Sequence, residues 1–554
     1  MTRPTRPQPP QRFALPARCA LPASIAAAAF ALAGCMVGPD YRRPEAPLND
    51  EWLGGPSAQD GAPERFERWW ETFDDPALNA LVMEAYRSNL TLRAAGLRVI
   101  EARARRQIAV GRFFPQVQQA VGDVGSVRLS ENSAAGQSLS QADRTFSEAS
   151  LGLEAAWELD FWGKFRRGIE ASDALLLASV AEYDAALTIL VADVAATYII
   201  IRSLQERLAI TETNVALQRR SLELTESRFR AGTVSELDVS SATTTLTSTQ
   251  ALVPELENAL RQAKLALCVL LGRPPSTLDA ELATADGAAA RVPVAPVEIA
   301  VGIPADLLRR RPDVRAAERV AAARSAAIGV ATADLFPQVS IVGATGFATS
   351  DFSGVRSPDL GDIFDSESFT GFVGLRINWP ILQYGRVQGS IRAQDALFEQ
   401  AAAEYQNTVL RAAADVESGL SEFLRSREIE SFLGRSVAAS QRTADLSLMQ
   451  YRAGLVDFIR VNDALTRLVV LEDNLVEARA RIALGAVRTY RALGGGWEIR
   501  NGREFIDAET AERMRARVNW GDVLVPQWHE GSDLFFTRPR IEEPEPEAPS
   551  ADEP

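Results

Sequence analysis

Few side chains in this chain of 554 residues could do chemistry. The single histidine, His529, lies in a polar tail, and the three cysteines, Cys19, Cys35 and Cys268, are far apart in sequence. That excludes zinc sites of the usual Cys/His spacing. It also leaves histidine-based general-base catalysis without an apolar frame. The carboxylates of Glu158 and Asp160 share one face of an alternating segment, but no supporting basic groups stand with them. The composition therefore reads as that of a non-enzyme, with no catalytic residues, no metal site and no cofactor. A formal net charge of −14 argues against nucleic acid as a partner.

Cys35 is the exception. Residues 1–18 carry Arg3, Arg6, Arg12 and Arg18 and no acid, and an Ala-rich apolar run follows from Ala20 to Ala33. This is a secretory signal pattern, too short to span a bilayer, which takes about 20 apolar residues. The run ends in Leu32-Ala33-Gly34-Cys35, which resembles the lipobox of bacterial lipoproteins. The resemblance implies cleavage before Cys35, a diacylglycerol on its sulfur and an N-acyl chain on its new amino group. The chemistry needs a thiolate nucleophile. Met36 stands where inner-membrane lipoproteins usually carry aspartate, which favours the outer membrane. Removing residues 1–34 takes away four positive charges, so the net charge moves from −14 to −18. Cys268, among Leu267, Val269 and Leu270, is then the only free thiol and is expected in a core.

The rest of the chain is a tandem repeat. Phe114-Pro115-Gln116-Val117 recurs as Phe336-Pro337-Gln338-Val339, a spacing of 222 residues (115 to 337). Trp157 and Gly163 recur as Trp379 and Gly385 at that spacing, and Arg230-Ala231-Gly232 as Arg452-Ala453-Gly454. So do Arg93-Ala94-Ala95 with Arg315-Ala316-Ala317, and Leu271-Gly272 with Leu493-Gly494. The organisation expected is a signal peptide over 1–34, an N-terminal periplasmic segment over 35–92 and a first repeat over 93–272. A linker over 273–314, a second repeat over 315–494 and a C-terminal segment with an acidic tail over 495–554 follow. The tail, with Glu542-Glu543-Pro544-Glu545-Pro546-Glu547, has the composition of a disordered segment.

Each repeat mixes two periodicities. Leu151, Leu153, Ala155, Trp157 and Leu159 alternate with small or polar residues, as do Val373, Leu375, Ile377 and Trp379. Period two predicts a strand with one apolar and one polar face. A second strand per repeat is expected near 115–129 and 337–348. The strand lengths suit a tilted membrane strand of about 9–11 residues. Phe113, Phe114, Phe161, Trp162 and Phe165, with Phe336, Trp379 and Tyr384, gather at one end, where an interfacial aromatic girdle would sit. The polar face carries Glu154, Glu158, Asp160 and Arg376, and an acidic excess there would favour cationic solutes.

From Ile169 to Ala231 there is no Gly or Pro. Apolar residues recur every seven positions at Ile201, Leu208, Val215, Leu222 and Phe229, then after a break at Val239, Leu246, Val253, Leu260 and Leu267. Heptads in both arms predict a helical coiled-coil hairpin. The second copy turns at Gly454, with Val461, Leu468, Leu475 and Ile482 descending and a less regular ascending arm containing Gly419 and Gly434. Pro254 is expected to kink or interrupt its arm. Four membrane strands per chain cannot close a barrel, since the smallest bacterial ones use about eight. An open edge cannot stand in lipid, so several chains must share one barrel.

Further segments carry a family resemblance. They are the mature start Cys35-Met36-Val37-Gly38-Pro39-Asp40-Tyr41-Arg42-Arg43-Pro44, Trp69-Trp70 with Asp75-Pro76-Ala77-Leu78, and Trp157 to Lys164. The most specific is Pro304-Ala305-Asp306-Leu307-Leu308-Arg309-Arg310-Arg311-Pro312-Asp313-Val314. Over about 36–497 the chain resembles the outer membrane factor lipoproteins of tripartite RND-type efflux systems, TolC-like channels of the NodT branch. The resemblance implies an α+β membrane protein of TolC-like fold. That fold is a homotrimer with a twelve-stranded outer-membrane β-barrel, four strands per chain, continuous with a long α-helical coiled-coil periplasmic tunnel. It implies export of small molecules, with a periplasmic adaptor (membrane fusion) protein, an inner-membrane RND-type pump and outer-membrane lipid as partners. A type I protein secretion channel and a non-channel periplasm-spanning scaffold are the alternatives.

By the same resemblance the periplasmic gate lies near the tips, at Tyr451 and Asp463. Arg460 stands where relatives carry another aspartate, Val456 where they carry a pairing arginine. Asp238 is the first-repeat equivalent of Arg460, which suggests an Asp238–Arg460 pair between neighbouring arms. The adaptor is expected to contact the tips at Gly232, Thr233, Val234, Gly454 and Leu455.

Overall fold

The computed structural model describes residues 36–49, 52–53, 64–137, 144–283, 290–296, 309–351 and 360–524. Cys35, the signal segment, residues 304–308 of the Arg-rich motif and the acidic tail lie outside them. The chain divides into two units, the first comprising residues up to Tyr41, Gln107–Ala171 and Ser325–Ala396.

The first unit is built on one antiparallel sheet of four strands. These are β1 (Val117–Arg128), β2 (Thr145–Leu159), β3 (Gln338–Ser350) and β4 (Phe369–Asn378), side by side in that order. The register sorts the side chains. Leu151 faces Gly122 on one side and Phe347 on the other, and Phe347 faces Phe369. Trp157, Ile341 and Leu375 form a second apolar row, and Leu159, Val339 and Ile377 a third. The opposite face carries Gln119, Glu154 and Ala344 in one row and Glu158, Ser340 and Arg376 in another. Every residue of β4 is exposed, and Val373, Leu375 and Ile377 project with nothing packed over them. A half-buried sheet in water would cover such a face.

Below the strands, Trp157 donates its indole N–H to the Phe113 carbonyl and Trp379 does so to the Leu335 carbonyl, each at 3.1 Å. Trp162 stacks on Phe336 at 4.5 Å and donates to the Pro337 carbonyl at 2.8 Å. Asp160, expected on the polar strand face, lies beyond the end of β2. Its carboxylate accepts from the backbone N–H of Phe165 and Arg166, both at 3.0 Å, and pairs with the Arg166 side chain. It therefore occupies orphan amides at the start of the next helix and is not a charge on the sheet.

Residues 36–41 run as a strap over this unit. The Val37 N–H donates to the Trp162 carbonyl at 3.1 Å. Arg167, almost fully buried, holds Asp40 at 2.8 Å and Glu170 at 2.8 Å, and donates to the Val37 carbonyl. Gly38 has φ +95° and lies so close to Gly329 that a Cβ on it would stand 2.4 Å from the Gly329 Cα.

The second unit comprises Arg42–Arg106, Ser172–Arg324 and the chain from Leu397 onward. In order the longer helices of the chain are α1 (Pro76–Ser88), α2 (Leu90–Gly111), α3 (Lys164–Arg230), α4 (Glu236–Leu270), α5 (Pro312–Ala333), α6 (Arg386–Arg452), α7 (Phe458–Ala492) and α8 (Ala508–Arg517). Both α3 and α6 have 67 residues, and both α4 and α7 have 35, each pair being 222 residues apart. At 1.5 Å per residue the long ones run about 100 Å.

Helix α4 passes through Pro254 without interruption. The proline is on the exposed side, where water can take the carbonyl it leaves unpaired. Helix α6 is likewise unbroken at Gly419 and Gly434. Gly419 allows a close backbone approach, since a Cβ there would meet the Thr489 backbone nitrogen of α7 at 3.0 Å.

The main core of this unit gathers Trp69, Trp70 and Phe73 with Leu187, Val191, Val194 and Ile201 of α3 and Tyr490 of α7. Helix α3 is long and apolar enough to cross a membrane by length and composition, yet these apolar residues are spent on the core. Trp69 stacks on Tyr490 at 5.3 Å. Asp75 caps α1 by accepting from the Ala77 N–H at 3.0 Å, and its other oxygen accepts from the Tyr198 hydroxyl at 2.6 Å. Burial, then the Asp75 hydrogen bond, push the Tyr198 hydroxyl above its ordinary pKa, so it remains a donor. Arg311 donates to the Ala492 carbonyl at the end of α7 at 2.8 Å and pairs with Asp313. Cys268 is fully buried in this core.

Gly329→Val would place a side chain where the Val37 carbonyl lies only 2.9 Å from a built Cβ. Overpacking of this kind costs about 1–3 kcal/mol. Limited proteolysis should cut the variant within 36–41 well before the wild type.

Candidate functional site

The tips of the two helical hairpins are held by the same local chemistry. At the end of α3 the Gly232 N–H reaches the Phe229 carbonyl at 2.9 Å and the Thr233 N–H reaches the Arg228 carbonyl at 3.0 Å. At the end of α6 the Gly454 N–H bonds Tyr451 and the Leu455 N–H bonds Gln450, both at 2.9 Å. Both glycines have positive φ, +75° and +74°. This closure satisfies the last helical carbonyls and needs a residue that tolerates the left-handed region.

Tyr451 is fully buried. The Arg228 guanidinium lies over its ring at 4.5 Å and donates to its carbonyl, and Phe458 packs edge-on at 5.5 Å. Tyr451, Phe458, Val461, Ala464, Leu465 and Leu468, with Ala242 and Ala444, make a second and smaller core. Arg228 thus ties the first hairpin to the second.

The remaining expected gate residues are placed differently. Asp238 completes a capping box at the start of α4, accepting from the Ser235 N–H at 3.1 Å and its hydroxyl at 3.2 Å. Its carboxylate is committed to its own helix end, and no Asp238–Arg460 pair forms within the chain. Arg460 is exposed. Asp463 is exposed and pairs with Arg467 one turn along, at 3.1 Å. Gly232, Thr233, Gly454 and Leu455 are exposed, and Val234 is half-buried against the small core.

Sequence reasoning missed three features. Arg228 carries no signal, since its counterpart in the second repeat is Gln450. Leu237 and Ile459 are exposed apolar residues one turn past the tips, and they share the 222-residue spacing, a signal that was available. The third is the inner seam of α3. The expected stripe Leu208, Val215, Leu222 and Phe229 slides outward, ending with Phe229 largely exposed. The buried positions are Thr211, Asn214, Gln218, Ser221 and Thr225, themselves at heptad spacing. A straight helix drifts about 20° per heptad, enough to exchange one stripe for the next.

This polar seam is held unevenly. Arg207 grips Asp473 of α7 at 2.6 and 2.9 Å, and Asn214 donates to Glu472 at 2.7 Å. Thr245 of α4 meets Asn462 of α7 at 2.5 Å. Among the described residues, both amide atoms of Gln218 and the Ser221 hydroxyl are buried without a partner, an arrangement that weakens packing. Burial raises the Glu472 carboxyl above its ordinary pKa, with the Asn214 hydrogen bond acting the other way.

A carboxyl whose folded pKa is raised stabilises least when ionised, so its contribution is present at low pH and is lost as pH rises through the raised value. Glu472→Gln keeps an acceptor for Asn214 and removes the charge. The variant should melt higher than the wild type at neutral pH, and the gap should shrink on acidification.

Comparison with known proteins bears on both units. The model of the family described as outer membrane efflux protein matches residues 81–273 and again 303–495. Nodulation protein T of Rhizobium leguminosarum bv. trifolii is 31% identical over 84% of this chain and 95% of its own length. The toluene efflux pump outer membrane protein TtgC of Pseudomonas putida is 31% identical over 87% of this chain and 96% of its own. Among solved structures, the outer-membrane channel OprN superposes with a TM-score of 0.72 at 34% identity, covering 84% of this chain and all of that one. The fold is TolC-like, and the chain belongs to the outer membrane efflux protein family.

Proposed function

We propose that three copies of this chain form a channel through which small toxic molecules leave the cell. One observation carries the reading: among the described residues the four-stranded sheet has a largely exposed apolar face, a polar face opposite it and two unpaired edges. That arrangement is stable only when lipid covers the first face, water fills the space behind the second and other copies take up the edges. The efflux and outer-membrane names of the relatives support the same assignment.

A family of export channels supplies passage and no bond chemistry, so no catalytic group or cofactor is assigned. Acylation of Cys35 would give the chain its lipid anchor. The exposed tips, Gly232, Thr233, Gly454 and Leu455, with Leu237 and Ile459 beside them, are the surface proposed to meet a periplasmic adaptor. Through it they would reach an inner-membrane pump of the RND type. Toluene, in the name of one relative, supports small molecules as the cargo class in preference to secreted protein.

The gate assigned to this channel is the small core around Tyr451, clasped by Arg228. Asp463 and Arg460, both exposed in the tip region, would act as a ring of charge between copies, while Asp238 holds the start of α4. Below the clasp, the polar seam at Gln218 and Ser221 makes the arms cheap to part.

Deleting the gene should raise sensitivity to toxic small molecules, and restoring it should reverse the effect. Unchanged sensitivity together with a lost secreted protein would overturn the cargo assignment. Arg228→Ala removes a cation–π contact and a hydrogen bond, about 1–2 kcal/mol together. Leak of a large antibiotic through the outer membrane should rise about fivefold to thirtyfold. Tyr451→Phe keeps the ring and should change it little.

A further inference from the structure

The two outer edges of the sheet hold complementary charges. Arg376 stands on β4 and Asp123 on β1, both on the polar face and both exposed. Among the described residues neither has an ion-pair partner. Arg376 is the one basic residue on the polar face of the four strands.

The internal repeat says how the edges meet. Within the chain the first repeat joins the second along β2 and β3, where Glu154 faces Ala344 and Leu153 faces Thr345. The counterpart of that seam joins β4 of one copy to β1 of the next. Glu154 and Leu153 map onto Arg376 and Leu375 at the 222-residue spacing. The partners on β1 need one correction. Val117 faces Ala156, and Gln338 faces Asn378, so Val117, and not Gln116, is the strand position matching Gln338. Gln116 has dropped out of the ladder. Its side-chain amide instead accepts from the Glu158 N–H at 2.7 Å and donates to the Glu158 carbonyl at 3.4 Å. With that shift Ala344 maps onto Asp123 and Thr345 onto Val124.

We infer that a second copy of this chain docks on the β4 edge in the register that sets Arg376 opposite the neighbouring copy's Asp123, and Leu375 opposite its Val124. The inference deepens the shared-barrel reading and rests on it. Three independent features agree on this register. It keeps apolar residues beside apolar ones, whereas the uncorrected spacing would set Arg376 opposite Gly122, on the apolar face with Leu151. It pairs opposite charges across strands. It also completes the aromatic base. Trp162 and Phe336, stacked within the chain, map onto Tyr384 and Phe114 at the strict spacing that their backbone neighbours Phe113 and Leu335 keep. Tyr384 is 96% exposed and Phe114 55% exposed in the single chain, each awaiting a ring from the next copy.

The closure has a consequence for the channel. Each seam neutralises the basic residue of the polar face, which leaves Glu148, Glu154 and Glu158 as its strand charges. The lumen is then acidic, and cationic or neutral cargo passes it more readily than anionic cargo.

Cysteine pairs test the register in isolated outer membranes under oxidation. Leu375→Cys with Val124→Cys should give a covalent ladder ending at the trimer on non-reducing gels. Leu375→Cys with Gly122→Cys, a slip of two residues on the same face, should give little. Asp123→Arg and Arg376→Asp should each lose detergent-resistant trimer, and the double exchange should recover it. A three-chain particle that cross-links through the Gly122 pair would overturn the register alone. A one-chain particle with no ladder from either pair would overturn the shared barrel as well.

Discussion

A strand edge cannot stand unpaired in hydrocarbon, where a free N–H or C=O has no water to turn to. The sheet of this chain has two such edges and an apolar face that is exposed along most of its length. Most of the chain's design follows from that. The alternation along β2 and β4 is that of strands wet on one side only, and the glycines and alanines of the polar face leave room behind it. The tandem repeat supplies two hairpins whose shared seam also specifies how the sheet continues beyond its ends. In the proposed channel that continuation is another copy.

The helices show a graded stability. Near their junction with α1 and α2, Trp69, Trp70, Tyr198 and Tyr490 are packed in a large core, where the Tyr198 hydroxyl donates to Asp75. Toward the tips the contacts thin to the small core around Tyr451, one arginine clasp and a polar seam with unpaired amide and hydroxyl groups. Regions that must open are drawn from the weakly held end of a structure. The layout therefore places rigidity where the fold is set and compliance at the proposed gate.

Much of the fold was legible because it is periodic. Alternation marked the strands, heptads marked the arms, and glycines marked both tips where a positive φ was needed. The family motifs were legible as signals but not as parts: Asp75 and Arg311 hold helix ends, and Asp160 caps a helix where a lumen charge was expected. What stayed hidden depends on contacts between distant segments. Arg228 over Tyr451 joins two hairpins with no echo in the repeat. The slide from Leu222 to Ser221 and Thr225 turns on the drift of about 20° per heptad that accumulates along a straight helix. The dropped position at Gln116 is a single-residue shift that only pairing reveals.

In the proposed channel the sheet closes by sharing its edges among copies. The most direct test is the mass of the particle extracted in mild detergent from isolated outer membranes. Three chains per particle are expected. A lipid-anchored single chain with no barrel in the membrane would contradict it.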